Sequence, residues 1–152
     1  MTEITIENIK ITIRNFQPGD YDALISLWRE CGLPYKPGGR DSRDKVLNEI
    51  TGETADLLVA ESEGKLIATI LATHDGRKGW INRLAVVSSF RHKGIARQLV
   101  RLAEEALYKK GIEIIACLIE EGNTVSMDFF QQAGYRKHTD IFYFSKRKHP
   151  GV

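Results

Sequence analysis

One stretch limits what this chain can become: residues 80–101, reading W-I-N-R-L-A-V-V-S-S-F-R-H-K-G-I-A-R-Q-L-V-R. It begins as an aliphatic, β-branched run from Trp80 to Val87, breaks at Ser88-Ser89, and resumes at helical spacing after Lys93-Gly94. A strand, a short polar loop and a helix thus follow one another directly. The loop brings Arg91, His92, Lys93 and Gly94 to the point where a helix exposes N–H groups with no partner of their own. Such a start attracts anions, because several donors and the positive end of the helix dipole converge on it. Arg91 and Lys93 add charge, and Gly94 lets an anion approach the main chain closely. The element reads as a cradle for a diphosphate, although a solvated helix start with surface cations fits the same residues. Neither G-x-x-x-x-G-K-[ST] nor G-x-G-x-x-G is present, so the nucleotide loops built on those patterns do not apply.

The rest of the chain bounds the partners. At 152 residues it is expected to be a single domain over residues 1–152, long enough to bury about two-thirds of its unfolded surface. A hydrophobic content of 42% with 28% charged residues is that of a soluble globular protein. No apolar run reaches membrane-spanning length, and Met1-Thr2-Glu3-Ile4 lacks the layout of a signal peptide, so a cytoplasmic location and no membrane partner are expected. A net charge of +2 is too mild to imply nucleic acid. Cys31 and Cys117 are far apart, the histidines form no ligand pair, and no metal site is expected; both cysteines read as buried or partly buried thiols.

In order, Lys10–Phe16 alternates as a half-buried strand after a loose lead, and Tyr21, Leu24, Ile25, Leu27 and Trp28 recur at helical spacing until Gly32. Residues 33–40, rich in Pro and Gly, read as a mobile loop, and Asp41-Ser42 as the cap of a second helix to about Ile50. Residues 56–61 and 66–74 form a hairpin around Ser62–Lys65, and a turn at 75–79 leads into the strand of residues 80–87 as the third of three antiparallel strands. Trp80, Asn82, Leu84 and Val86 share one face of it by alternation. The following helix buries Ile95, Leu99, Leu102, Ala103 and Ala106, and turns Lys93, Arg97 and Arg101 elsewhere. Glu113–Ile119 reads as a strand buried on both faces. A helix with Val125, Met127, Phe129 and Phe130 ends at Gly134, and residues 135–139 and 141–145 read as two short final strands. The expected class is α/β, a mixed, mostly antiparallel central sheet of about seven strands with helices on both faces, in the order β-α-α-β-β-β-α-β-α-β-β.

The run Arg91-His92-Lys93-Gly94-Ile95-Ala96, set after Leu84-Ala85-Val86, resembles the R/Q-x-x-G-x-G/A signature of the GNAT superfamily of acetyl-CoA-dependent N-acetyltransferases. Within it, the strand, loop and helix are similar to small bacterial members of the YpeA type. The order of elements is similar too. The resemblance implies a GNAT-like fold, acetyl-CoA as co-substrate without metal, and an acceptor bearing a primary amine, on a small molecule or a peptide. It further implies that the strand of residues 80–87 and the one at 113–119 splay apart, with pantetheine lying in the gap. Leu84, Ala85 and Val86 would pair with that arm, Arg91 to Arg97 would hold the diphosphate, and Asn123 would bond the arm. The loop between the first two helices would form an acceptor wall carrying Tyr35, Lys36 and Arg40, with Trp80 lining the pocket. Homodimers occur in the superfamily, so a homodimer is a further expectation.

Two departures bear on catalysis. Relatives often carry Tyr as the acid where this chain has Phe130, in the run N-T-V-S-M-D-F-F, and Glu as the base where it has Asn82. A phenyl ring donates no proton, and an amide side chain orients a water or an amine without accepting a proton. Tyr135 and Tyr143 are substitute acids; Asp75, Glu120 and Glu121 are substitute carboxylates; a water relay through Asn82 is the expected mechanism. With the acid and base gone, a non-catalytic module that binds or senses acyl-CoA is the alternative.

Overall fold

The computed structural model describes residues 1–152. The opening residues do not form the loose lead expected of them. They form β1 (Thr2–Ile6), paired antiparallel with β2 (Ile9–Asn15) around Glu7-Asn8. Both turn residues have positive φ, 50° and 66°, the left-handed pair whose twist matches that of the flanking strands. Glu at the first position hides the turn from a reader looking for Asn-Gly.

Strands β3 (Ala55–Ser62), β4 (Lys65–His74) and β5 (Lys78–Val86) extend the sheet antiparallel, as expected, and β6 (Ile114–Ala116) closes it parallel to β5. The six strands lie in space in chain order. Helices α1 (Tyr21–Glu30), α2 (Arg43–Thr51), α3 (Ile95–Lys109) and α4 (Thr124–Gln132) complete the fold. Leu66, Ile67, Ala68, Thr69 and Ile70 of β4 are all buried, which an alternating strand allows only if both sheet faces are covered. From α1 come Tyr21, Leu24, Leu27 and Trp28, and from α3 Ile95, Leu99, Val100, Ala103 and Leu107. The α3 stripe is rotated slightly from expectation, leaving Leu102 and Ala106 half-buried. A Cβ on Gly79 would fall 2.9 Å from Leu107 Cδ1, so glycine lets the end of α3 sit directly on β5. At the other side of the sheet Arg14 of β2 bonds both Asp20, before α1, at 2.7 Å and Glu61 of β3 at 2.8 Å.

Three expectations fail in the C-terminal third and in β5. The run 113–119 pairs over only three residues, and Ile114 and Leu118 are each 57% exposed, so it is not buried on both faces. The two final strands are absent, and with the unexpected β1 added the sheet has six strands rather than seven. In β5 the register shifts between Leu71↔Asn82 and Thr69↔Ala85, so Arg83 and Leu84 together oppose Ile70. This bulge reverses the alternation beyond it. Ala85 joins the face of Asn82 and Trp80, while Val86 joins that of Ile81; Trp80, Asn82, Leu84 and Val86 therefore do not share a face.

Candidate functional site

Between β5 and α3 the chain turns through Ser88–Phe90, where Phe90 N–H donates to Val87 O and Arg91 N–H to Ser88 O. His92 and Gly94 then adopt positive φ, 61° and 85°, and α3 begins. None of the N–H groups of His92, Lys93, Gly94, Ile95, Ala96 and Arg97 has a partner within the chain; the first helical donor is Gln98, to Gly94 O. Left-handed residues interleaved with helical ones turn successive amides toward one concave side, an anion-binding nest. Gly94 has no atom within 4 Å of where a Cβ would stand, so the approach is open.

The side chains around this nest divide by task. Arg91 Nε donates to Val86 O at 2.8 Å and ties the loop back to the strand. Lys93 Nζ lies 2.6 Å from Glu7 in the β1–β2 turn, which partly neutralises it. Arg97 is exposed and has no ion-pair partner, leaving it as the free cation of the cradle, with His92 exposed beside it. Cys31, half-buried near Arg91, has its thiol pushed up by desolvation despite that cation. Cys117 is also half-buried, with its thiol raised by desolvation.

Beside the cradle the sheet opens. β5 pairs with β6 only from Lys78 to Trp80, so its edge from Ile81 to Val86 has no strand on that side. The bulge at Arg83-Leu84 lies on this free length. Arg83 has φ 55°, a strained value for a non-glycine residue, and such strain persists only where neighbours hold it. They do. Its guanidinium bonds Asp41 at 2.9 Å and Pro34 O, and stacks 4.6 Å from the centroid of Trp28. Trp28 is 2% exposed, and its Nε1–H has no partner.

Asp41 ties the 33–41 segment and α1 to β5. It is buried, accepts from Lys36 N–H at 2.8 Å as well as from Arg83, and its carbonyl accepts from the Tyr21 hydroxyl at 2.7 Å. The helix cap is Ser42, which accepts from Lys45 N–H. The 33–40 segment, expected as mobile, is therefore pinned to a charge from β5. Of the residues expected to meet an acceptor, Tyr35 is half-buried and accepts from Arg29 at 3.0 Å, Arg40 is exposed with Nε 3.8 Å from Asp41, and Trp80 is half-buried under Lys78 Nζ at 4.8 Å. Neither Asp41 nor Arg83 is visible as a site residue in sequence, since 42 positions separate them. Glu49 of α2 was also missed. Desolvation first, and repulsion from Asp41 second, hold its carboxyl above the usual range, with Arg83 opposing them.

The other catalytic candidates fare differently. Asn82 is exposed on β5, and Glu120 and Glu121 are exposed before α4. Asn123 caps α4, its Oδ1 accepting from Ser126 N–H at 3.1 Å, which leaves its amide donors free. Phe130 is 6% exposed and packs edge-on against Phe129 and Tyr135. Tyr135 donates its hydroxyl to Glu104 at 2.9 Å, and burial raises it well above the ordinary phenol range. Tyr143 is 71% exposed on the C-terminal tail. Asp75 is taken up by its turn, accepting from Arg77 and Lys78 N–H, and is held below the usual range by those bonds. Neither tyrosine is a free acid in the gap, and Asp75 is no base. No group of three His, Cys, Asp or Glu residues could hold a metal.

Known proteins share this fold. The PaiA N-acetyltransferase of Thermoplasma acidophilum, solved with coenzyme A, is 26% identical and superposes with a TM-score of 0.72 over 83% of this chain and 89% of its own. The acetyltransferase of Streptococcus agalactiae is 16% identical, with a TM-score of 0.77 over 90% and 93%. AAC(6')-Iy, solved with the bisubstrate analogue CoA-S-monomethyl-acetylneamine, is 20% identical, with a TM-score of 0.74 over 90% and 98%. The family described as acetyltransferase (GNAT) matches residues 21–135, from the start of α1 to three residues past the end of α4, and with three-quarters of the chain inside that match the protein is a member of the GNAT acetyltransferase family.

Proposed function

We propose that the protein transfers an acetyl group from acetyl-CoA to a primary amine by direct attack within a ternary complex. The observation that carries this is the run of six unpaired amides from His92 to Arg97 beside a β5 edge that loses its strand partner after Trp80. The amides and Arg97 suit a diphosphate. The free edge along Leu84, Ala85 and Val86 suits an extended amide-bearing arm that adds to the sheet like a strand, and the spare donors of Asn123 suit its far end. The CoA complexes of related structures support this assignment.

Acetyl-CoA supplies a thioester carbonyl as the electrophile. The bulge at Arg83-Leu84 frees main-chain N–H groups from the sheet ladder, which fits donors to a developing oxyanion. Asn82 orients the amine or a water. Glu49, exposed on α2 with Asp41 and Arg83 acting on its charge, serves as the proton acceptor in this scheme, because a carboxyl held above its usual range takes a proton more readily near neutral pH. Glu121 is exposed before α4. No side chain protonates the departing thiolate in this scheme; water does, which a thiolate tolerates because thiol pKa values lie near 8.5. Holding the amine in line with the carbonyl supplies much of the rate.

The acceptor lies against Asp41, Arg83, Tyr35 and Arg40, and is a small molecule or a peptide end. One observation favours a second reading, a non-catalytic acyl-CoA-binding module: Phe130 is packed away and Tyr135 is occupied. Thermal unfolding with CoA and release of free CoA thiol from acetyl-CoA over a panel of amines separate the two. The expected result is a raised midpoint together with amine-dependent thiol release. A raised midpoint without release on any amine supports the binding module, and no rise with CoA overturns both.

A further inference from the structure

Of the five non-glycine residues with positive φ, four lie in turns or loops: Glu7 and Asn8 between β1 and β2, Glu63 between β3 and β4, and His92 before α3. Arg83 alone lies inside a strand. It is the first residue of the β5 bulge, a position ordinarily taken by glycine when it is left-handed. Six glycines serve left-handed positions elsewhere in the chain, so arginine here retains a backbone strain that glycine would remove. The guanidinium accounts for it.

Residues 33–41 fold as one closed unit. Leu33 N–H donates to Trp28 O at 2.9 Å where the unit starts. Asp41 N–H donates to Lys36 O at 3.0 Å, and Lys36 N–H returns a bond to Asp41 Oδ2 at 2.8 Å, which closes it. Arg83 grips this unit at three points. It donates to Pro34 O near the beginning and to Asp41 Oδ2 at the end, the latter at 2.9 Å, and stacks 4.6 Å from the centroid of the Trp28 ring. The Arg83 and Asp41 side chains are only 15% and 10% exposed, so water competes little for the charged bond between them. Since this side chain grows from the residue whose φ sets the bulge, a shift of the 33–41 unit is carried into the β5 backbone.

We infer that Arg83 is a positioning residue: it makes the seating of residues 33–41 and the aim of the bulge N–H groups a single event, so that the thioester carbonyl meets its donors only when the acceptor-side segment is in place. The inference rests on the proposed binding of acetyl-CoA along β5. Holding the CoA body does not need this coupling, because the amides of His92 to Arg97 are ordered by their own loop and helix start. Polarising the carbonyl does. The two functions therefore separate on substitution of Arg83.

Turnover does not isolate this role, since loss of the guanidinium also changes the charge acting on Glu49. The infrared stretch of acetyl-CoA isotope-labelled at the thioester carbonyl does, and it needs no acceptor amine. On the unaltered protein the band is expected at lower wavenumber than that of free acetyl-CoA in the same buffer. Arg83→Gly, which suits the left-handed backbone, is expected to lose most of that displacement while CoA still raises the thermal midpoint. Because this variant leaves Asp41 as a mostly buried charge without its cation, the substitution is repeated in an Asp41→Asn background. Asp41→Asn alone keeps an acceptor for Arg83 and is expected to retain part of the displacement; adding Arg83→Gly is expected to remove the rest. A band that stays displaced in both Arg83→Gly proteins overturns the inference, and so does bound acetyl-CoA whose band never moves on the unaltered protein. Failure of CoA to raise the midpoint of the unaltered protein overturns the proposed function, and this inference with it.

Discussion

The two sides of the opened seam are built by different means. On the cradle side, the proposed recognition rests on main-chain groups contiguous in sequence, the amides of His92 to Arg97, positioned by two left-handed residues and a helix start. On the proposed acceptor side it would rest on side chains gathered from α1, the 33–41 segment, α2 and β5, with Arg83, Asp41 and Trp28 interlocked. Backbone recognition tolerates change of most side chains and suits a ligand common to a family. An interlocked wall changes with any one member, which suits an acceptor that differs between relatives.

That contrast can be broken by substitution, starting with the wall. Asp41→Ala leaves Arg83 without its anion at a site where both side chains are mostly buried, and is expected to cost about 3 kcal/mol of stability. Chemical denaturation measures it, and a loss below about 1 kcal/mol would reduce the interlock to a surface ion pair. On the cradle side Gly94→Glu puts a carboxylate, at a left-handed position, into an anion nest. It is expected to abolish the CoA-induced stabilisation, about 2.7 kcal/mol at a hundred times Kd; an unchanged shift would remove the loop from the site.

Glu49→Gln tests the chemistry between the two sides. The expected loss is about 100-fold in kcat with CoA binding intact. Because the Glu49 carboxyl is raised, its acid limb in the rate profile should lie above the ordinary carboxylate range. The sign for stability follows. The native state holds this proton more tightly than the unfolded chain, so the contribution is present at low pH and is lost as pH rises through the raised value. Glu49→Gln is therefore not expected to destabilise the protein at neutral pH, which separates a proton-transfer role from a packing one. The smallest effect belongs to Arg97→Ala, about threefold weaker CoA binding, shrinking further as salt screens an exposed charge. A larger loss would mean that the side chain, not the main chain, dominates the cradle.

The Asp20–Arg14 pair offers a pH test away from the seam. The Arg14 guanidinium holds Asp20 below the usual range, so its stabilisation is full above the ordinary carboxylate value and is lost as pH falls through the lowered one. Asp20→Asn should flatten that acid limb of the stability profile.

Sequence made the central motif legible because its physics is local. The break at Ser88-Ser89, Gly94 with positive φ, and the amphipathic pattern of α3 all act within about one helical turn of the residues that encode them. The hairpin at Ser62–Lys65 and the cap at Ser42 are local for the same reason. The β1–β2 turn escaped because Glu7-Asn8 uses a left-handed pair without glycine. The bulge in β5 escaped because register is settled by the partner strand β4, not by the bulged strand's own pattern. The final strands were read from real β propensity, but a strand forms only where it pairs with an edge, and residues 136–148 pair with none.

By itself, then, the sequence determined the α/β class, the order of the central elements and the open loop at the start of α3, since each depends on contacts between near neighbours along the chain. Tertiary structure alone decided the Asp41–Arg83–Trp28 interlock, the shifted environment of Glu49, the burial of Phe130 and the six-strand sheet. These depend on which distant segments share space, and on the water that such packing removes from a charge.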